Sequence, residues 1–275
     1  MEFSQAHADV FPAGIALGPC AYLGVGAHAD DLELMALYPI MHGQQAGGFT
    51  GVVVTDGAGS VRAGAYAGLS DAQMIEQRRE EQREAARLGC YAAMVQLGHP
   101  SSAAKDSRNT AIVDDLEALL RECKPREVYC HDLADRHNTH VGVLLKLIAA
   151  IRRLPMDARP IKLIGCESWR SLGWLSDSDK VLMDVGDDTG LAGRLIQAFD
   201  SQLQGKRYDL AALGRRQANA TFQEQREGDV TAALSLGMDL TPLVQDNALT
   251  PAALFQRLAA GFEREVQDRL KKLGA

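Results

Sequence analysis

The stretch Ala21-Tyr22-Leu23-Gly24-Val25-Gly26-Ala27, followed at once by His28-Ala29-Asp30-Asp31-Leu32-Glu33, decides the fold. Its first seven residues are apolar and glycine-bounded, which is the pattern of a buried strand. From residue 31 to residue 45 the chain takes on helical character. The alternation then repeats. Phe49–Thr55 (FTGVVVT) is β-branched and predicts a second strand. A glycine-rich loop over 56–68 leads into a charged helix over Asp71–Leu88, capped by Ser70 or Asp71 and ended by Gly89. Further strands are predicted over 92–97, 127–130 and 161–166, with helices over 110–122, stopped near Pro125, and 140–151. Strands alternating with helices of this length imply βαβ units. The predicted class is therefore α/β: a Rossmann-like three-layer sandwich with a mostly parallel sheet. Sites in such sheets lie beyond the carboxyl ends of the strands. The loops 27–31 and 131–140 should then share one crevice.

Composition narrows what the chain can be. Its 275 residues include 29 Lys+Arg and 36 Asp+Glu, a net charge of −7, with 46% apolar and 24% charged residues. These values exclude a disordered chain, a fibrous repeat and a disulfide scaffold. The acidic balance argues against nucleic acid. The apolar runs fall short of the ~20 residues that span a bilayer. The first fourteen residues hold Glu2 and Asp9 but no Lys or Arg, so they lack the basic start of a secretion signal. The expected partner is a small-molecule substrate, with no nucleic acid and no membrane, and with homo-oligomers allowed. Five dispersed cysteines (Cys20, Cys90, Cys123, Cys130, Cys166) form no Cys-x-x-Cys pair, which points to a reducing, cytoplasmic compartment. Helix candidates over 191–203, 208–221 and 250–272 make a helical C-terminal extension. Residues 221–246 lack a clear period and read as an arm or linker. The expected organisation is one domain over 15–222, with an arm and helix over 223–275 packed on it or on a neighbouring subunit.

The chemistry concentrates in the two loops. Two adjacent carboxylates beside His28 at a strand end would be costly to bury without a cation. A divalent metal resolves that cost, with His28 and Asp31 converging on it and Asp30 left free as a base. The alternative is an Asp cap on the following helix beside a solvated His28. In the second loop, His137 and His140 are three apart and share a face once a helix has begun. Two His and one carboxylate form a catalytic zinc set with a position open for water. A neighbouring carboxylate can deprotonate such a water at neutral pH.

These motifs resemble the PIG-L/LmbE-like family of zinc-dependent deacetylases. That family carries His-Pro-Asp-Asp after its first strand and His-Pro-Asp-His after a later one. Here they stand as His28-Ala29-Asp30-Asp31 and His137-Asn138-Thr139-His140. Thr55-Asp56-Gly57 and Arg78-x-x-Glu81-x-x-x-Ala85-x-x-Leu88-Gly89 are also similar, and the likeness runs from about residue 21 to 165. Glu167-Ser168-Trp169-Arg170 and Arg215-Arg216-Gln217-Ala218-Asn219-Ala220 resemble a subgroup. The resemblance implies Zn2+ held by His28, Asp31 and His140. It implies Asp30 as general base, a protonated His137 at the oxyanion, and Arg78 as a substrate contact. Thr139 stands where the family has the Asp that pairs with the preceding His, so Asp135 or Asp132 is expected to support His137. Residues 97–101 lack the Asp-Gly the family often has after its third strand.

From the residues themselves, Arg136 is a candidate for a substrate oxygen or phosphate. Glu167 and Arg170 are expected to form a structural ion pair, and His99 and His131 to stand behind the ligands. Gly24-x-Gly26 lacks the third glycine of a dinucleotide loop. The expected activity, which the resemblance implies, is removal of acetyl from an N-acetylglucosamine-type amino sugar. The alternatives are a zinc amidase on another N-acyl compound, such as a thiol conjugate or secondary metabolite, and an inactive metal- or sugar-binding module.

Overall fold

The computed structural model describes residues 2–223 and 228–275. Its strands are β1 (Asp9–Phe11), β2 (Tyr22–Gly26), β3 (Phe49–Thr55), β4 (Ala93–His99), β5 (Glu127–His131), β6 (Lys162–Cys166), β7 (Lys180–Asp184) and β8 (Leu234–Asp239). The helices of the first half are α1 (Asp31–Met35), α2 (Leu37–Ala46), α3 (Asp71–Leu88), α4 (Ser101–Lys105), α5 (Ala111–Cys123) and α6 (Asn138–Arg153). Those of the second half are α7 (Thr189–Gln197), α8 (Asp200–Leu203), α9 (Tyr208–Phe222), α10 (Pro242–Gln245) and α11 (Pro251–Lys272).

All eight strands join one sheet in the order β1-β4-β3-β2-β5-β6-β8-β7. The interfaces from β4 through β6 are parallel. β1, β8 and β7 pair antiparallel at the two ends. The chain winds outward from β2 to β4, then returns to β5 on the other side of β2. That reversal opens a crevice above the carboxyl ends of β2 and β5. The two loops predicted to meet do so there.

β3, β4 and β5 are buried along their whole lengths, as helices on both faces require. One apolar layer joins the sheet to α5 and α6 through Leu116, Leu119, Leu144, Leu147 and Ile151. The other joins it to α1, α2, α3 and α7 through Leu32, Ile40, Ala86 and Leu195. Gly24 serves this packing: a Cβ there would meet the Phe49 ring at 2.7 Å and Leu32 at 3.0 Å. Gly24 and Gly26 thus let α1 lie close to β2, which places Asp31 at the strand end.

Three of the expected elements differ in the structure. The helix expected over 31–45 breaks at Ala36 into α1 and α2. Pro39 has no N–H for a bond to Met35 and its ring would clash with that carbonyl, so a new helix starts just before it. The helix expected over 191–203 likewise divides into α7 and α8 around Phe199, which is buried. β8 lies in the stretch expected to be an arm. It sits between β6 and β7, and buried residues along it erase the alternation a half-exposed strand would show. Residues 224–227 of that stretch lie outside the described residues. The first half of α11 packs on the same body through Leu254 and Leu258. Among the described residues no helix is long and apolar enough to cross a membrane.

Candidate metal centre and its cavity

β2 delivers His28 to the crevice. Asp30 then turns the chain with φ 88°, a left-handed conformation that Asp tolerates better than most side chains. Its N–H donates to Gln82 Oε1 at 3.2 Å. Asp31 opens α1 and accepts the His28 N–H on Oδ2 at 2.7 Å. From the other side, β5 ends at His131 and a short loop leads to α6. His137 caps that helix, its Nδ1 accepting from the Thr139 N–H at 3.3 Å. His140 follows in the first turn, almost fully buried.

His28 Nδ1 lies 3.2 Å from His140 Nε2 and 3.3 Å from Asp31 Oδ2. His140 Nε2 lies 3.4 Å from Asp31 Oδ1. Tetrahedral N and O ligands about 2.1 Å from a zinc ion are separated by about 3.4 Å, so each pair of these side chains fits a shared metal, with Asp31 turning a different oxygen to each ring. Behind them, Asp135 Oδ2 lies 3.1 Å from His140 Nδ1. A proton held there turns the Nε2 lone pair toward the centre, as such carboxylates do behind metal-bound histidines.

Among the described residues, two groupings have one donor atom per residue all within reach of a single ion: His28, His137 and His140, and Asp31, His131 and His140. The hydrogen bonds argue against His131 as a ligand. His131 Nε2 accepts the Ala27 N–H at 3.0 Å, so its lone pair is spent. His137 Nδ1 is taken by its cap, which leaves Nε2 as the free nitrogen of that ring. His131 stacks on His140 with ring centroids 3.8 Å apart, and so backs the site.

Electrostatics separate the two carboxylates. Burial would raise Asp31, but attraction to the neighbouring His140 and His131 rings overcomes it and holds its carboxyl well below the usual range. Burial prevails at Asp30 over the attraction of Arg78, and the charge of Asp31 adds to it, so that carboxyl is raised. Arg78 donates Nη2 to Asp30 Oδ2 at 2.9 Å and to the Ala29 carbonyl, and pairs Nη1 with Glu81 Oε2 at 3.2 Å. Glu81 is held in turn by the N–H and hydroxyl of Ser201. Gln82 bonds Glu33 at 2.8 Å, and Tyr91 bonds the same Glu33 oxygen at 2.6 Å. Burial pushes Glu33 up to about 7. Burial, then the charges of His140 and His28, lowers the His137 imidazole, which runs against a resident cation there.

The centre forms part of the lining of a cavity of about 1050 Å3. Trp169 and Tyr208 wall it beside His137, with Trp169 6.3 Å from the His137 ring and 6.0 Å from that of Tyr208.

His28, Asp31, His140, Asp30 and His137 all meet in this crevice. Arg136 is exposed on the cavity rim. Arg78 lines the cavity, but it is 2% exposed and its guanidinium is committed to Asp30, Ala29 and Glu81. In this structure it anchors Asp30. Asp135 is a correction of role: its Oδ1 accepts the His137 backbone N–H at 2.8 Å and its Oδ2 faces His140, so the His137 ring has no support from it. Asp132 does not supply that support either. It bonds the Ala134 N–H, and burial raises it to about 7. Glu167 and Arg170 do not pair: Glu167 holds the N–H groups of Leu172 and Leu236, and Arg170 donates to the Ala134 carbonyl. The Thr55-Asp56-Gly57 motif is structural, since Thr55 bonds the Ala27 carbonyl through both N–H and hydroxyl. Gln82, Ser201, Trp169 and Tyr208 had no assigned part. Trp169 lay inside a quoted motif, but nothing local marks the others.

A doubly wound α/β protein with a His/Asp cluster able to hold a metal at its switch point is thus defined. The model of the PIG-L family (GlcNAc-PI de-N-acetylase) matches residues 23–151. A comparison with curated protein sequences gives no match. Among solved structures the chain is similar to the conserved protein TT1542 of Thermus thermophilus, at 18% identity and TM-score 0.65, covering 84% of this chain and 99% of that one. It is similar to GalB, the 4-carboxy-2-hydroxymuconate hydratase of Pseudomonas putida, at 16% identity and TM-score 0.62, with coverage of 80% and 95%. It is also similar to the N,N'-diacetylchitobiose deacetylase of Pyrococcus horikoshii, at 17% identity and TM-score 0.60, with coverage of 78% and 82%. These likenesses show a shared fold.

Proposed function

We propose that the protein is a zinc-dependent hydrolase that removes the N-acetyl group from an N-acetylglucosamine-type amino sugar, a small-molecule substrate met in the cytoplasm. The reading rests on one observation above all. His28, Asp31 and His140 approach one another pairwise to 3.2–3.4 Å, Asp31 offering Oδ2 to His28 and Oδ1 to His140, with the carboxylate of Asp30 next to them in the chain. A zinc ion held by those three residues supplies Lewis acidity, which brings a water to a pKa near ~7 and polarises a carbonyl.

The chain's own residues do the rest. Asp30, raised by burial, takes the proton of the attacking water and delivers it to the leaving amine. Arg78 fixes which oxygen of Asp30 faces the cavity, since Oδ2 is held by the guanidinium. His137, with Nδ1 occupied, carries its proton on Nε2 and donates it as a hydrogen bond to the developing oxyanion. A neutral imidazole suffices for that. Trp169 and Tyr208 offer flat apolar surface beside His137 for a sugar ring.

The test is release of acetate together with free amine from N-acetylglucosamine compounds by the zinc-loaded protein. Following both products matters because the fold also serves a hydratase. Activity should vanish with a chelator and return with zinc. Metal binding without acetate release from any N-acetyl sugar would favour a binding module. Release of another acyl group alone would favour an amidase of different substrate.

A further inference from the structure

The chain is acidic, at −7, but its cavity is not. Lys105, Arg136, Lys206 and Arg215 all line it, and among the described residues none of them pairs with a carboxylate. Lys206 Nζ lies 4.5 Å from the Trp169 ring centroid, on the wall next to His137. Arg215 donates to the Ser168 carbonyl. Outside Asp30 and Asp31, the one lining carboxylate is Glu167, whose oxygens are taken by Leu172, Leu236 and Asn219.

Arg216 sharpens this. It lines the same cavity but is only 3% exposed. Its Nη2 donates to the carbonyls of Glu33 at 2.9 Å and Leu34 at 3.0 Å. Its Nη1 is buried with no acceptor among the described residues. A buried charged donor without a partner is costly, and an anion in the adjoining cavity offsets that charge. The deep guanidinium and the exposed cations at the rim therefore ask for the same chemistry.

We propose that the cavity contains an anion subsite: the acylated substrate bears a phosphate or carboxylate group, which the exposed Lys206 and Arg136 receive with the buried charge of Arg216 behind them. The inference rests on the hydrolase reading for its substrate frame, but the subsite can be tested apart from hydrolysis.

The experiment compares kcat/KM of the zinc-loaded protein on N-acetylglucosamine, its 1-phosphate, its 6-phosphate and N-acetylmuramic acid. At least one anionic compound should exceed the neutral sugar by about tenfold or more. The ratio of anionic to neutral kcat/KM should fall by about tenfold in a Lys206→Gln/Arg136→Gln double variant, and should fall with added salt. Both residues are exposed, so the variant keeps its fold. The phosphate and muramate arms tell which anion the subsite takes. In parallel, inorganic phosphate is titrated into the zinc-loaded protein and followed by tryptophan fluorescence, because Trp169 touches Lys206. Binding should saturate and weaken about tenfold in the double variant. Phosphate held by the metal alone would ignore the variant. Equal turnover of neutral and anionic sugars, or a ratio and a phosphate affinity unmoved by the variant, overturns the subsite. Variant-sensitive phosphate binding with no hydrolysis of any N-acetyl sugar would retain the subsite and remove the proposed activity.

Discussion

Replacing Asp30 by Asn isolates the proposed base. The side chain is nearly isosteric, and Asn tolerates the left-handed backbone as well as Asp does, so φ 88° costs nothing new. The amide oxygen can still accept from Arg78 Nη2, now 2.9 Å from Oδ2. The N–H bond to Gln82 Oε1 starts from the Asp30 backbone and is untouched. Asp30 is not among the three residues that approach one another pairwise to 3.2–3.4 Å at the metal position. Zinc stoichiometry and melting temperature should therefore stay near the parent. Turnover should not: a missing general base costs about 10²–10⁴ in rate, or ~2.7–5.5 kcal/mol of barrier. Asp30→Ala gives the contrast. It loses the same proton acceptor, but Ala in a left-handed conformation adds ~1–2 kcal/mol of instability. The assay pairs kcat of zinc-loaded samples with elemental analysis and thermal unfolding. An Asp30→Asn protein that turns over within a few-fold of the parent would refute the base. One that loses its zinc would make Asp30 a ligand.

Three further outcomes follow from the surrounding contacts. Asp135→Asn loses an acceptor at either His140 Nδ1 or the His137 N–H, and zinc affinity measured by chelator competition should drop about 10–100-fold; unchanged affinity would remove Asp135 from behind the metal. His137→Ala should lower kcat by about 10²-fold or more with little change in KM or zinc content, as for a lost oxyanion donor; parent-like kcat would leave that role without a residue. Glu33, raised from 4.5 to about 7 in the fold, resists ionising there, so its contribution to stability is intact below pH 4.5 and is lost as pH rises toward 7. Denaturant unfolding of the parent should show this loss, on the order of 3 kcal/mol, and Glu33→Gln should flatten it; an identical pH slope in the variant would show that Glu33 ionises freely.

Local sequence determined the architecture and most of the crevice. The glycine-bounded strand at 21–27, the β-branched run at Phe49–Thr55 and the capped helix Asp71–Leu88 carry their own periods and end signals, and the structure has each of them within a residue or so. Because parallel strands put their loops on one side, the sequence alone also brought His28, Asp31 and His140 to one place. Only the tertiary structure decided what those groups do to one another. β8 has no alternation to read because its neighbours bury both of its faces. Whether Asp135 serves His137 or His140 turns on a few ångströms of loop geometry, and spacing along the chain does not encode that. Arg78, implied by resemblance to touch substrate, is instead held by Asp30, 48 residues away in the chain, a partner that helix periodicity does not encode. Arg216 lies in a motif resembling a family subgroup, but its contact with Glu33, 183 residues away, is not in the sequence pattern. Periodicity reports which face a residue takes, but partners are chosen by long-range packing, where a buried polar atom must find whatever acceptor the fold has brought within reach.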